Sequence, residues 1–240
     1  MNYLQEPYNE QYAVIVPTYN EADNIIPLAL RLATLEVPYL FVDDGSTDET
    51  YKKLKDNSIW ALSYAPNKGK GLAVTAGAEM LKVIGYDWAL VLDGDNQFGE
   101  QQIEKFDNFL FWNAEKCDLI IGNRFEGNTN MPLLRKITNK VLSWIISKIA
   151  GVKIPDTQCG FRMIKISRLH ELDLKCNRFD FETEMLIKAA WKDWRIKSVG
   201  VDCRYFKDRK SRIKIGKDTW RLFKLLAKLS IRKLFGRTNN

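Results

Sequence analysis

Short apolar runs rich in β-branched and aromatic residues alternate with longer amphipathic stretches in the first half of the chain. The short runs predict strands, and the stretches with apolar residues at helical spacing predict helices. The predicted strands cover residues 12–17, 39–42, 59–64, 88–92 and 119–122. The predicted helices cover residues 21–35, 49–56, 71–84 and 100–115. This alternation is typical of an α/β fold with a mostly parallel sheet and helices on both faces.

The second half of the chain has a different pattern. Helical periodicity covers residues 135–150, 180–191 and 217–235, and a late strand is predicted over residues 196–203. No internal repeat or low-complexity tract divides the sequence. We therefore expect one α/β domain over residues 1–215, followed by a C-terminal amphipathic helix over residues 216–240.

Polar clusters follow three of the predicted strands, at residues 17–21, 43–46 and 93–97. The carboxyl ends of parallel strands meet at one edge of a sheet, where ligands of such folds bind. Asp93 and Asp95 stand two residues apart, and Gln97 adds a neutral oxygen. Because these are hard oxygen donors, they suit Mg²⁺ or Mn²⁺. A surface turn is the alternative, since Asp-Gly is a common turn dipeptide.

The other polar segments are suited both to turns and to ligand contacts. Asn20 is predicted to cap the following helix, and Tyr19 offers a flat face to a nucleobase. Ser46 and Glu49 have the spacing of a capping box, and the neighbouring carboxylates can accept hydrogen bonds from ribose hydroxyls. Residues 67–71 precede a helix, and their backbone amides are predicted to approach phosphates. That segment lacks the spacing of a P-loop, which disfavours kinase or ATPase chemistry.

Charge is divided unevenly along the 240 residues, which carry a formal net charge of +7. Residues 1–120 contain 9 basic and 19 acidic side chains, whereas residues 121–240 contain 28 and 11. The acidic half is suited to gather a cation, and the basic half to meet phosphate groups or an anionic membrane. The four cysteines form no CxxC pair, and His170 is the single histidine. These counts exclude a multi-histidine metal site and favour reduced thiols in a cytoplasmic protein.

The ordered motifs of the acidic half resemble those of the family 2 glycosyltransferases, whose Rossmann-like nucleotide-binding domain has the fold called GT-A. The resemblance runs over residues 12–226, most of the chain. It implies that the PTYNE and VDDGS segments contact the nucleoside through Pro17, Tyr19, Glu21, Val42 and Asp44. It implies nucleotide contacts from Asp93 and Gly94, and metal and diphosphate contacts from Asp93, Asp95 and Gln97. The expected cofactor is Mg²⁺ or Mn²⁺.

Motifs of the basic half are similar to those of the dolichol-phosphate mannose synthase branch and of related bacterial polyprenol-phosphate glycosyltransferases. They lie at residues 122–125, 135–139, 156–162 and 179–184. The branch implies an acceptor-phosphate site that contains Arg124, Arg135, Asn139 and Arg212, with Lys207 or Arg209 as a further basic partner. Arginine suits this role because its planar guanidinium pairs two phosphate oxygens. The chain departs from the branch at Cys159, where the branch usually has serine.

The resemblance implies inverting transfer of a sugar from GDP-mannose or a UDP-hexose to a polyprenyl or dolichyl phosphate. Asp95, Arg124 and Arg135 are then the expected catalytic residues, because alignment and charge stabilisation lower the barrier. A family 2 enzyme that extends a glycan at a hydroxyl acceptor is the alternative. It needs a carboxylate base, for which Glu184 is the candidate, with Glu182 beside it. Both glutamates open a predicted helix, so they are equally suited to interact with its dipole.

The C-terminal pattern indicates a membrane interface. Basic residues recur on one helical face, beside aromatic and leucine side chains, at Lys217, Arg221, Lys224, Lys228 and Arg232. This fits peripheral association with anionic lipid on a membrane's cytoplasmic face, and a small membrane-anchor subunit is a candidate partner. The helix over residues 135–150 is a second candidate for the interface. The alternative is a helix that packs on the domain and keeps a solvated basic face.

Two further classes are disfavoured. The longest apolar window is too short to span a membrane, and the first residues do not have the pattern of a signal peptide. A non-catalytic protein that binds nucleic acid or a membrane through its basic half is the other class. The acidic strand ends argue against nucleic acid as a partner, because they would repel its phosphates.

Overall fold

Within residues 11–94, 98–99, 101–178, 180–205 and 215–235, the computed structural model has seven strands and eight α-helices; it does not describe the side chains of residues 215–218 and 234. The strands are β1 (Tyr12–Thr18), β2 (Tyr39–Asp43), β3 (Ala61–Ser63), β4 (Trp88–Val91), β5 (Leu119–Asn123), β6 (Arg162–Lys165) and β7 (Ile196–Gly200). The helices are α1 (Ile25–Thr34), α2 (Thr50–Asp56), α3 (Lys70–Ile84), α4 (Gln101–Asn113), α5 (Leu133–Ala150), α6 (Ile166–Leu169), α7 (Asp180–Trp191) and α8 (Ile215–Leu234). Short 3₁₀ turns follow α4 and α6 at Ala114–Lys116 and His170–Leu172.

The strands form one sheet in the order β3-β2-β1-β4-β6-β5-β7. β6 is antiparallel to its neighbours β4 and β5, and the other neighbouring pairs are parallel. The predicted α/β class with a mostly parallel sheet is therefore confirmed.

Alternating side chains on the strands produce two hydrophobic cores. In β1, Ala13 and Ile15 belong to the core under α3, α5, α7 and α8, whereas Val14 and Val16 belong to the core under α1, α2 and α4. All four side chains are fully buried. Helices therefore cover both faces of the sheet, as the continuously apolar strands predict.

Three strands differ most from the prediction. The sequence pattern does not predict β6, a four-residue strand inserted between β4 and β5. The late strand ends at Gly200, and only an isolated bridge at Cys203 continues it. The strand predicted over residues 59–64 is shortened to the three residues of β3.

The two predicted helix caps are wrong. Asn20 has a positive φ of 52°, and its backbone N–H donates to Ser46 Oγ at 2.9 Å. Since α1 begins only at Ile25, Asn20 holds a turn to the β2–α2 loop and does not cap a helix. Ser46 is used in the same contact, and the N–H of Thr50 at the start of α2 donates to Asp48 Oδ1 at 2.9 Å.

The C-terminal helix packs on the domain. α8 contacts α5 and α7, and its Leu225 and Leu229 are buried in the core on that face of the sheet. Lys233 Nζ also donates to the carbonyl of Lys148 at 2.7 Å, which fixes the end of α8 beside the end of α5. No helix in the described part of the chain is long and apolar enough to cross a membrane.

Because one face of α8 packs on the domain, truncating a side chain should cost much more stability on that face than on the exposed face. Leu229→Ala should lower the free energy of unfolding by about 2–4 kcal/mol, because it leaves a cavity in the core. Ile231→Ala is the matched control: Ile231 is 55% exposed, so its truncation should cost less than about 0.5 kcal/mol. Chemical denaturation followed by circular dichroism measures both, and equal losses would contradict this packing.

Candidate active site

Three polar strand ends meet at one edge of the sheet, as the sequence pattern predicts. β1 and β2 run in parallel register up to the pair of Thr18 and Asp43. Gly94, just beyond β4, lies beside the side chains of Thr18 and Glu21. This edge therefore has the position at which doubly wound sheets bind their ligands.

The residues expected to contact a nucleoside have different surroundings at this edge. Val42 is fully buried and packs against α3, so only its main chain faces the edge. Glu21 is buried, and its carboxylate accepts a hydrogen bond from Asn24 Nδ2 at 2.6 Å. Pro17 and Tyr19 are half-buried. The side chains of Pro17 and Tyr19 are therefore the most accessible to a ligand among these four.

The fifth expected nucleoside residue, Asp44, organises the loop before α3. Its carboxylate accepts hydrogen bonds from Asn67 Nδ2 at 2.9 Å, from the Lys68 N–H at 2.8 Å and from the Gly69 N–H at 2.7 Å. Asp44 is almost fully buried. It thus ties the end of β2 to the start of α3, and any contact with a nucleoside is made from this fixed position.

The prediction that the amides of residues 67–71 approach phosphates is wrong for the amides whose partners are known. Those of Lys68 and Gly69 donate to Asp44, and the N–H of Gly71 donates to the carbonyl of Asn177 at 2.7 Å. The start of α3 is therefore already satisfied by a buried carboxylate and a carbonyl of the chain itself.

Lys70, the first residue of α3, bridges two carboxylates. Its Nζ lies 2.5 Å from Asp93 Oδ1 and 2.5 Å from Glu182 Oε1. Gly160 faces the same site, and a side chain there would collide with Asp93 Oδ2 and approach Lys70 Nζ. α3, the end of β4, the start of α7 and the segment over residues 156–162 therefore converge on one ionic site.

Arg162, the first residue of β6, is the fourth charged residue of this site. Its side chain is 2% exposed. Nε donates to the Cys159 carbonyl, Nη1 to the Glu182 carbonyl and Nη2 to the Thr157 carbonyl, all at 2.8–2.9 Å. Its Nη2 also lies 3.6 Å from Glu182 Oε2. We call Lys70, Asp93, Arg162 and Glu182 the lysine cluster. No sequence signal distinguishes Lys70 or Arg162 individually, although both lie inside predicted polar segments, residues 67–71 and 156–162.

Charge pairing shifts the pKa values of this cluster. Burial alone would lower the pKa of Lys70, but Asp93 and Glu182 outweigh it and hold that pKa above its usual range. Burial would raise the pKa of Glu182, but Lys70 and Arg162 outweigh it, with a further contribution from Arg124, and that pKa falls below its usual range. Lys70 and Glu182 are therefore both charged near neutral pH.

Glu184 lies away from the lysine cluster. One of its oxygens accepts the backbone N–H groups of Lys175 and Cys176, each at 2.8 Å, and the other lies 2.8 Å from Lys188 Nζ. Burial would raise its pKa, but Lys188 and the two amides hold it below its usual range. The structure thus brings Glu182, not Glu184, to Asp93, and Glu184 instead holds the loop before α7.

Arg124 forms a buried pair with Asp156. Nε of Arg124 donates to Oδ2 at 2.7 Å and Nη2 to Oδ1 at 2.8 Å, while Nη1 donates to Tyr205 Oη at 2.8 Å. Burial would lower the pKa of Arg124, but the bond to Asp156 outweighs it and raises that pKa. Arg124 is therefore a charged residue whose guanidinium is already oriented by the fold. Its contact with an acceptor phosphate stays a prediction.

Arg135 lies near Arg124 because both contact Tyr205. The exposed guanidinium of Arg135 lies 5.1 Å from the centroid of the Tyr205 ring. Asn139, one turn later on α5, is half-buried, with Nδ2 3.8 Å from Met131 Sδ. We call Arg124, Arg135, Asp156 and Tyr205 the arginine cluster. No sequence motif points to Tyr205.

The segment over residues 156–162 joins the two clusters. Its Asp156 holds Arg124, its Gly160 makes room for Asp93, and its Arg162 binds Glu182. Cys159 lies between them fully buried, with Sγ against Gly122, and burial raises the pKa of its thiol to about 12. Cys159 is therefore a neutral packing residue of this segment.

Four expected site residues, Asp95, Gln97, Arg209 and Arg212, lie outside the described residues. Of the expected metal ligands, Asp93 is thus the one described, with its side chain 32% exposed. Among the residues that the structure describes, no three His, Cys, Asp or Glu side chains converge as metal ligands. The hard oxygens of Asp93 fit Mg²⁺ or Mn²⁺, and the remaining donors stay a prediction.

Comparison with known families defines the class of this protein. The model of glycosyl transferase family 2 matches residues 13–172, more than half of the chain. The chain therefore belongs to this family and is a glycosyltransferase.

Two related enzymes and one solved structure are similar to most of this chain. The chain is 28% identical over 215 residues to the UDP-N-acetylglucosamine–dolichyl-phosphate N-acetylglucosaminyltransferase of Methanococcus voltae, which covers 80% of this chain and 85% of that one. It is 30% identical over 227 residues to a dolichyl-phosphate beta-glucosyltransferase of Trichomonas vaginalis, with 83% and 65% covered. Among solved structures, glucosyl-3-phosphoglycerate synthase of Mycobacterium tuberculosis with Mn²⁺, UDP-glucose and phosphoglyceric acid matches with a TM-score of 0.73. That match covers 92% of this chain and 80% of the other at 16% identity, so it shows the fold, the one called GT-A.

The two arginines of the arginine cluster should differ in their effect on stability. Arg124→Gln should lower the free energy of unfolding by about 3–5 kcal/mol, because it leaves the carboxylate of Asp156 buried without its cation. Arg135→Gln, on the exposed side of Tyr205, should cost less than about 1 kcal/mol. Urea denaturation of the two variants measures this. An equal loss, or a larger loss for Arg135→Gln, would contradict the pairing described above.

Proposed function

We propose that this glycosyltransferase transfers a sugar from a nucleotide diphosphate to a polyprenyl or dolichyl phosphate, with inversion at the anomeric carbon. The observation that carries the proposal is the ion pairing of Glu182. This carboxylate lies at the Asp93 site, and Lys70 and Arg162 hold it in its charged form. A site of this kind is suited to an acceptor that is already ionised.

A hydroxyl acceptor would need a base that this site does not favour. A hydroxyl must lose its proton as it attacks, and an efficient base has a pKa near the working pH. The pKa of Glu182 is held below its usual range, and both oxygens of Glu184 are engaged by Lys188 and backbone amides. A phosphate monoester has a second pKa of about 6, so its oxygen attacks as an anion near neutral pH.

The arginine cluster supports a phosphate acceptor. Arg124 is neutralised by Asp156, whereas the exposed Arg135 lies over the Tyr205 ring. The planar guanidinium of an exposed arginine is suited to pair two oxygens of one phosphate. Arg209 and Arg212, outside the described residues, are proposed as further contacts. The two relatives whose names specify a dolichyl phosphate support this acceptor class.

The edge formed by the strand ends is proposed to bind the donor. We propose that Pro17, Tyr19 and Asp44 contact the nucleoside, and that Gly94, which lies beside Thr18 and Glu21, contacts the nucleotide through its backbone. We propose that Asp93, with Asp95 and Gln97, holds Mg²⁺ or Mn²⁺ at the diphosphate. When bound, such an ion would stabilise the charge of the leaving diphosphate. GDP-mannose and UDP-hexoses are the candidate donors.

The proposed reaction is a direct displacement. An oxygen of the acceptor phosphate forms a bond to the anomeric carbon from the face opposite the diphosphate. The bond between that carbon and the diphosphate oxygen breaks, and the nucleoside diphosphate leaves with the electron pair. Arg135 orients the attacking phosphate, and the charged pair of Lys70 and Glu182 keeps Asp93 in position. No proton transfer is required, so alignment and charge stabilisation account for the rate enhancement.

A lipid acceptor also explains the exposed apolar surface of α5 and α8. Both helices lie on the same face of the sheet, and their large exposed apolar residues are Leu133, Leu134, Ile137, Val141, Trp144, Trp220, Phe223 and Ile231. Trp220 stacks on Phe223, and Lys224 Nζ lies 5.1 Å from the centroid of the Trp220 ring. Aromatic and basic residues together favour the interface of an anionic membrane. We propose peripheral association with the cytoplasmic face of a membrane, with or without a small anchor subunit.

Label transfer tests this function directly. The protein is incubated with Mn²⁺, undecaprenyl or dolichyl phosphate and one of several radiolabelled sugar nucleotides, and the label in the organic phase is counted. We expect one donor to give organic-phase label that disappears when EDTA is added. If no donor labels the lipid under any condition, the proposed acceptor class is wrong.

The pH dependence of transfer separates the two acceptor chemistries. With a phosphate acceptor, the rate should rise as pH increases through about 6, because the phosphate loses its second proton there. Glu182 is already ionised in this range, since its pKa is lowered, and it should add no step of its own. The rise should therefore stay at the same pH in Glu182→Gln, even if the maximal rate falls. A rise that is present in the wild type and absent in Glu182→Gln would instead identify Glu182 as a base.

Membrane association is tested by co-sedimentation with vesicles that contain phosphatidylglycerol. Trp220→Ser with Phe223→Ser should lower the vesicle-bound fraction about tenfold, because both rings lie on the exposed face of α8. The matched control is Phe111→Ser with Trp112→Ser, an exposed aromatic pair of α4 on the opposite face of the sheet. Equal binding of the two double variants would refute an interface at α8.

A further inference from the structure

We propose that Tyr205 is a positioning residue that holds Arg124 and Arg135 together as one anion-binding unit. The inference rests on the proposed function, because the anion it concerns is the acceptor phosphate. Its hydroxyl contacts one arginine and its ring contacts the other: Arg124 Nη1 donates to Tyr205 Oη at 2.8 Å, and the Arg135 guanidinium lies 5.1 Å from the ring centroid.

Two guanidinium groups that contact the same side chain repel each other, so their arrangement needs compensation. Asp156 neutralises Arg124 from one side through two short hydrogen bonds. Tyr205 offers the second compensation, since its oxygen accepts from Arg124 and the negative face of its ring attracts Arg135. A phenylalanine here would keep only the ring contact, and an aliphatic residue would keep neither.

The backbone of Tyr205 is held independently of the two arginines, by the side chain of Asn130. Its N–H donates to Asn130 Oδ1 at 2.7 Å, and its carbonyl accepts from Asn130 Nδ2 at 2.9 Å. The loop that carries Tyr205 is therefore tied to the segment before α5, which carries Arg135. Substitution of the tyrosine side chain leaves both of these backbone contacts in place.

The hydroxyl of Tyr205 keeps its proton. Burial raises the pKa of Tyr205 above its usual range, although the adjacent Arg124 acts in the opposite direction. Tyr205 is thus a neutral spacer between two cations, so an arriving phosphate meets the undiminished charge of Arg135. The expected consequence is weaker acceptor binding when Tyr205 is changed, with less effect on the step that follows binding.

Farnesyl phosphate, a short soluble polyprenyl phosphate, is the probe for the test. Its dissociation constant is measured by calorimetry, and its KM and kcat by sugar transfer, for wild type, Tyr205→Phe, Tyr205→Leu and Arg135→Gln. We expect Tyr205→Phe to raise the dissociation constant and KM about threefold. Tyr205→Leu should raise them about tenfold, because it also removes the ring contact, and kcat should stay within about twofold in both.

A double variant supplies a readout that a purely structural role would not change. Arg135→Gln should raise the dissociation constant in both backgrounds. The factor should be about threefold smaller in Tyr205→Leu than in the wild type, because the ring no longer orients Arg135. If Tyr205→Leu does not fold, as judged by circular dichroism, Arg135→Gln is combined with Tyr205→Phe instead. Tyr205→Phe alone must then raise the dissociation constant about threefold, because it lacks the hydroxyl. Arg135→Gln must weaken binding equally in Tyr205→Phe and in the wild type, because phenylalanine keeps the ring contact.

The outcomes separate the two proposals. If the wild type neither binds farnesyl phosphate nor transfers sugar to it, the proposed function fails. If the wild type does both and the Tyr205 variants match it in dissociation constant and KM, the positioning role is overturned. A fall in kcat with unchanged KM would also overturn it.

Discussion

The ionic bridge made by Lys70 is the interaction on which the candidate site depends. One ammonium lies 2.5 Å from a carboxylate oxygen of Asp93 and 2.5 Å from one of Glu182, and these three residues come from distant parts of the chain. Partly buried charges are costly unless they are paired, so the bridge fixes the end of β4, the start of α3 and the start of α7 together. The same bridge keeps Glu182 in its charged form. Glu182 therefore acts as a counter-ion to Lys70 and is poorly suited to be the base that an enzyme needs to activate a hydroxyl group.

The segment over residues 156–162 extends this constraint to the second cluster. Asp156 orients Arg124, Gly160 admits the Asp93 carboxylate, and Arg162 binds the loop carbonyls together with Glu182. A displacement of this segment would therefore disturb the proposed donor side and the proposed acceptor side at once. Because α5 and α8 expose apolar side chains on one face of the sheet, with Lys224 beside Trp220, this is the face that we propose to contact a membrane.

The fold class and the meeting of the strand ends could be predicted from the sequence, because apolar periodicity and polar strand ends are local signals. Strand β6 could not be predicted from the sequence, since a four-residue segment gives a weak pattern. Its position in the sheet depends on pairing with β4 and β5, which are distant in the sequence. The predicted helix caps at Asn20 and Ser46 are wrong because of another non-local contact. The N–H of Asn20, in the β1–α1 loop, donates to the hydroxyl of Ser46 in the β2–α2 loop. The partners of Asp44 and Glu184 are also non-local, and no spacing rule predicts that Lys70 reaches Asp93 and Glu182. Tyr205 lies in no motif, so only the three-dimensional contact with two arginines identifies it.

The central claim is that the nucleophile enters this site already as an anion. It is tested most directly by offering the enzyme polyprenyl phosphate and the polyprenol of the same chain length in equal amounts, with one labelled sugar nucleotide. The two acceptors share the lipid and differ only in the charged group, so their products can be separated by anion-exchange chromatography. With an anionic nucleophile, essentially all label should be recovered as the lipid phosphate sugar. Comparable label on the neutral polyprenol would contradict an anionic nucleophile, because that product requires a base that deprotonates a hydroxyl.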